Sequence, residues 1–101
     1  MPKLYEYFGL IILFYSNEHQ PIHVHGKYQD RENKAEFIIL DGKVTEIKYS
    51  SVRGKDPLTK NDMKKFKTLI EYFKDDIVQK WIDFFVLNKE IKAEKITQKI
   101  G

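Results

Sequence analysis

A chain of 101 residues suits one compact domain and is too short for two, and 42% hydrophobic with 33% charged residues, 3 Pro and 5 Gly excludes extended disorder. The absence of Cys excludes a disulfide, a thiolate nucleophile and any Cys-ligated zinc or iron–sulfur site, and it fits a reducing compartment. The net charge of +3 is unevenly spread: residues 1–42 carry four basic against six acidic side chains, and residues 43–101 carry fourteen against nine.

The longest apolar stretch, Phe8 to Tyr15, falls far short of the ~20 residues of a membrane-spanning helix. It does not read as a signal peptide either, because Ser16-Asn17-Glu18 is no small-residue cleavage site. A soluble, cytoplasmic domain is expected. Gly9 to Tyr15 is short, β-branched and aromatic, and reads as a strand; its lack of alternation suggests either that both faces are covered or that Lys3 to Phe8 continues it as an irregular edge. After a turn at Asn17 to Pro21, the residues Ile22, Val24 and Tyr28 alternate with His23, His25 and Lys27 as in a half-buried strand. Asp30-Arg31-Glu32-Asn33 reads as a polar turn, and Ala35 to Leu40 as the next strand. Asp41-Gly42 is a hairpin signal, with the two-residue and the bulged three-residue loop both open. Lys43 to Tyr49 returns.

From Pro57 onward the period changes from 2 to 3.6. Thr59 with Asp62 makes a helix start that resembles a capping box. Met63, Phe66, Leu69, Ile70 and Phe73 then share one face, while Lys60, Lys64 and Lys67 occupy an adjacent stripe. Asp75-Asp76 favours a second helix start, and Ile77, Val78, Trp81, Ile82, Phe84, Phe85 and Leu87 make that helix the more fully buried one, ending near Asn88. Residues 91–100 fit either a helix or a strand. The expectation is strands near 9–16, 22–29, 34–40 and 43–49, then helices near 59–74 and 76–88. This is an α+β fold: an antiparallel sheet of three to four strands followed by two helices packed on one face. The whole chain is read as a single domain, with sheet to about residue 50, helices over about 58–88 and a basic tail over 89–101.

All three histidines lie within seven residues, as His19, His23 and His25. On a strand, His23 and His25 project from one face with side chains roughly 6–7 Å apart, while Ile22 and Val24 face the other way. Pro21 fixes the strand entrance and keeps His19 close. Three converging neutral imidazoles suit zinc or another divalent metal, with Asp30, Glu32 or Glu36 as a fourth ligand. The same imidazoles titrate near neutrality, so with lysines nearby they also suit metal-free acid–base cleavage of RNA. A third reading makes them a polar sheet face with a purely structural role. No Ser or Cys in the motif supports acyl transfer.

The basic excess concentrates in residues 43–67, and Arg53, Lys55, Lys60, Lys64 and Lys67 are the candidate nucleic-acid contacts. Its plain counterpart is a lysine-rich, solvated surface, since Lys far outnumbers Arg. Tyr5, Tyr7, Tyr15 and Tyr28 suit either base stacking on an open sheet or the covering of core edges.

Met1-Pro2, Phe8-Gly9-Leu10-Ile11-Ile12 and the block His19-Gln20-Pro21-Ile22-His23-Val24-His25 resemble domain of unknown function 4160, a family of small bacterial proteins. Ala35-Glu36-Phe37-Ile38, the Asp41-Gly42 turn and Trp81 extend the resemblance over about residues 1–88. Ile22 stands where the family has a second Pro, and Val24 where it has Phe. The resemblance implies a bacterial cytoplasmic protein, a toxin–antitoxin-like interaction module with a small protein partner; nucleic acid as a further ligand is expected from the basic surface alone. It transfers no catalytic residue. The rival expectation is a His-dependent ribonuclease or a zinc-type metal-binding protein; a homo-oligomer is compatible with either, and no membrane is expected.

Overall fold

Two-residue turns set the strand boundaries in the computed structural model, which describes residues 2–15 and 22–100. β1 (Lys3–Tyr7) and β2 (Leu10–Leu13) are joined by Phe8-Gly9, both at positive φ, 46° and 89°. The irregular edge expected from Lys3 to Phe8 is therefore a strand of its own. β3 (His23–Tyr28) turns through Gln29-Asp30 into β4 (Arg31–Leu40). The polar run 31–33 thus belongs to a strand, not to the turn. β4 and β5 (Lys43–Ser51) meet at Asp41-Gly42, with φ of 53° and 78° and Leu40 opposite Lys43. The loop has two residues, and the extra residue sits farther on, in a register shift between Ile38 and Ile39.

The expected antiparallel sheet of three to four strands is overturned. Among the described residues the sheet has six strands in the order β5-β4-β3-β2-β1-β6. It is mixed, because β6 (Glu94–Ile96) lies parallel to β1 with Tyr5 opposite Glu94. A three-residue strand carries almost no periodic signal, and its pairing is a tertiary event. The segment expected as a basic tail is therefore partly sheet.

The two expected helices are also overturned. One helix, α1 (Lys60–Phe85), covers both spans. Its start is as expected: the Asp62 amide donates to Thr59 Oγ1 at 3.2 Å, and that hydroxyl donates to the Asp62 carboxylate at 2.9 Å. At Phe73 the backbone leaves helical values (φ −104°, ψ 15°), a kink and not a break. Asp75 and Asp76 stay exposed on the continuing helix, and Asp76 accepts from Tyr5 and pairs with Lys80 at 3.3 Å. An acidic pair that caps a helix is equally tolerated on a solvent face, which is why it misled. Beyond the helix, Asn88 takes the left-handed conformation at φ 55°.

α1 lies across one face of the sheet. Phe66 packs against Tyr49 of β5, Phe73 stacks on Tyr5 of β1 at 4.6 Å, and Phe84 and Phe85 meet Phe14 just past β2. Each fully buried side chain of this size stabilises by roughly 1.5–3 kcal/mol. The first half of α1 is the better buried, through Phe66, Leu69 and Ile70, whereas Leu87 is exposed. The helix comes closest at Gly26, where a Cβ atom would stand 2.6 Å from the Phe66 ring. Gly26 therefore faces α1, as does Val24, and strand alternation turns His23 and His25 to the opposite side.

Candidate functional site

The histidine side of β3 is not a solvated row. His25 is 3% exposed and His23 9%, although both were expected on an open polar face or around a metal. Their rings lie 5.3 Å apart, edge to face. The antiparallel return of β4 brings Glu32 into the same layer, 1% exposed. One Glu32 oxygen is 2.9 Å from His25 Nδ1 and accepts from the Tyr15 hydroxyl at 2.9 Å. The other, Oε1, is buried with no hydrogen-bond partner among the described residues. The Tyr15 ring meets the His25 ring edge-on at 4.4 Å. A carboxylate held this way fixes the imidazole's orientation and favours the proton on Nδ1.

His19 and Pro21 lie outside the described residues. Among the described residues no group of three or more His, Asp or Glu side chains converges to hold a metal. Of the carboxylates weighed as further ligands, Glu36 sits opposite His23, and Glu32 bonds His25.

The lysines form the second region. Lys60, Lys64 and Lys67 are all exposed on α1 and surround a shallow cavity with Leu58 and Met63. Arg53 and Lys55 are exposed on the loop before α1 and do not line that cavity. On the next side of the helix, Asn61, Lys64, Lys65 and Thr68 face Tyr7, Phe8, Lys99 and Ile100 across a groove of about 420 Å³. Among the described residues its lining holds three lysines and no carboxylate. β6 places Lys99 here: its parallel pairing with β1 runs the following residues past Tyr7, whose hydroxyl accepts from the Ile100 amide at 3.0 Å. Lys99 and Phe8 were not singled out from sequence, because only tertiary pairing brings them to α1. Tyr5 and Tyr7 are buried, so they are core residues and form no open stacking platform.

Lys67 also stands 5.3 Å above the Tyr49 ring. Burial, with a smaller contribution from the Glu71 carboxylate, pushes the Tyr49 phenol up to about 12. Its hydroxyl is buried without a partner. Below pH ~10 both folded and unfolded chains keep the proton, so the full stability is present. As the pH rises from there toward the folded value, the unfolded chain ionises first and stability is lost. Tyr49→Phe should therefore leave stability at pH 7 nearly unchanged and hold the fold to higher pH. Alkaline unfolding followed by circular dichroism checks this, and an unshifted midpoint counts against it.

A family described as Domain of unknown function (DUF4160) matches residues 9–82. The chain belongs to this family. No curated protein and no solved structure matches it. The DUF4160 span takes in His23, His25, Glu32 and the lysines of α1, and it leaves Phe8, β6 and Lys99 outside. Among the described residues no helix is long and apolar enough to cross a membrane.

Proposed function

We propose that this DUF4160 protein is a non-enzymatic interaction module of the toxin–antitoxin type, which holds a nucleic-acid backbone on the lysine face of α1 and works beside a small protein partner. The observation that carries the reading is the groove lined by Lys64, Lys65 and Lys99, with no carboxylate among its described lining residues. Such a cluster raises the local positive potential where a phosphodiester chain would lie, and neutralised phosphates release counterions. The partner protein rests on the family resemblance and has no assigned surface.

The hydrolytic alternative has less support. A general base must come within about 2.6–3.2 Å of the proton it removes. His25 and Glu32 are buried, and the Glu32 carboxylate already engages His25 and Tyr15. That arrangement favours a structural role.

Fluorescence anisotropy with a labelled oligonucleotide tests the proposal. The logarithm of affinity should fall linearly with the logarithm of salt concentration. The Lys64→Ala/Lys65→Ala variant should bind more weakly and lower the salt slope by about 2. No binding at roughly 50 mM salt, where such contacts are strong, or an unchanged variant, would overturn it. Co-purification from the native host, with the lysine variant alongside, tests the partner.

A further inference from the structure

The groove's aromatic residues narrow the class of nucleic acid, an inference that rests on the lysine-face reading above. The 420 Å³ groove runs into a neighbouring one of about 610 Å³, and the two share Thr68, Lys99 and Ile100. Phe8 lines the first and is 54% exposed; Tyr72 lines the second and is 64% exposed. Among the described residues neither cavity has a carboxylate in its lining. Between α1 and the segment after β6, the two adjoining cavities thus share Lys99; Lys64 and Lys65 line the first, and each has one exposed ring in its lining.

Phe8 is also an unusual choice for its backbone. It occupies the first position of a two-residue hairpin turn at φ 46°, where Gly, Asn or Asp is favoured and a bulky side chain is strained. Packing offers little return, since more than half of the residue is exposed and its ring contact is an edge approach to Tyr7 at 4.9 Å. A strained backbone that presents an exposed aromatic ring to a basic groove is a pattern that points toward ligand contact. In a duplex the base faces are stacked inside and beyond reach. α1 is itself packed on the sheet through Phe66, Leu69 and Ile70. In a single strand the base faces are open, and aromatic rings take them with little regard to sequence.

We propose that the adjoining cavities bind a single-stranded nucleic acid, with one base stacked on Phe8, a second on Tyr72, and the intervening phosphates on Lys64, Lys65 and Lys99.

The test uses the full chain and three labelled probes of one sequence: single-stranded RNA, single-stranded DNA and a duplex of equal length. One or both single strands should bind more tightly than the duplex, and the comparison of RNA with DNA assigns the sugar. Phe8→Ala should weaken single-strand binding about tenfold, the scale of one lost base–aromatic stack. Duplex binding and the salt slope should not change. Phe8→Trp should restore affinity. Phe8→Asn suits the turn, so it should melt no lower than the parent yet bind single strands as weakly as Phe8→Ala. Salt-dependent binding that is indifferent to Phe8 and to strand number overturns the stacking proposal and leaves the lysine face standing. Absence of binding at low salt overturns both. A poly-glutamate peptide that binds as tightly as the single strands identifies an acidic protein segment as the occupant and overturns the nucleic-acid assignment.

Discussion

Glu32→Ala should lower the unfolding free energy by about 3–5 kcal/mol, because it removes the carboxyl group that holds one buried and one partly buried hydrogen bond. Tyr15 and His25 each lose the Glu32 oxygen they share. Against a typical total of about 5–15 kcal/mol, the variant would be barely folded at room temperature. Glu32→Gln keeps the shape and one acceptor oxygen but turns an amide donor toward the site, so a loss of about 1–3 kcal/mol is expected. Because Glu32 Oε1 has no partner, the amide can occupy that position without displacing another bond. Urea unfolding of the parent, both variants and Tyr15→Phe decides the matter. A Glu32→Ala loss below about 1 kcal/mol, the scale of a single solvent-replaced hydrogen bond, would show that the carboxylate does not hold this side of the sheet.

Gly26→Ala should be the most damaging one-carbon change in the sheet. The new methyl carbon would meet two Phe66 ring atoms at 2.6 Å and a third at 3.0 Å. Phe66 is fully buried, so its ring cannot swing into solvent. Overpacking of this kind costs roughly 1–3 kcal/mol, and β3 lies in the middle of the sheet, where the backbone has least room to shift. Phe66→Leu alone should also destabilise by about 1–3 kcal/mol through lost apolar contact. The pair Gly26→Ala/Phe66→Leu should then cost less than the two single losses added together, since the smaller side chain relieves the clash. Strict additivity in denaturant melts would refute the close approach of β3 and α1.

The elements that could be read ahead of the structure are those whose chemistry is local. Asp41-Gly42 is legible because both residues tolerate positive φ, and Thr59 with Asp62 because a cap is made within four residues. The turn at Phe8-Gly9 hides behind a residue that seldom accepts φ 46°, so β1 merged with β2 in the reading. Glu32 sits in a polar run that looks like a loop, and its burial depends on Tyr15 and His25 arriving from elsewhere in the chain. His23 and His25 were rightly placed side by side on a strand, but their burial was not legible, since it depends on what the sheet's second face receives. The groove was partly legible: of its lysines, Lys64 follows from helical spacing, while Lys99 reaches α1 only through the pairing of β6 with β1.

That pairing also divides the molecule by how readily its parts open. β6 is three residues long and bonded along one side only, to β1. Beyond that pairing it is held by surface ion pairs, Lys80 to Asp76 and Glu94 at 3.3 and 3.7 Å and Lys95 to Glu6 at 3.9 Å, by the Ile100 amide on Tyr7, and by the partly buried Ile96 and Ile100. So few contacts place residues 94–100 at the low end of local opening free energies, whereas β3, bonded on both sides and covered by α1, opens only with the whole domain. One wall of the groove is therefore rigid and the other detachable. A ligand that ties Lys99 to Lys64 and Lys65 adds its binding free energy to the closed form alone. Occupancy would thus be recorded as slowed amide hydrogen exchange in the last strand, with the central sheet unmoved.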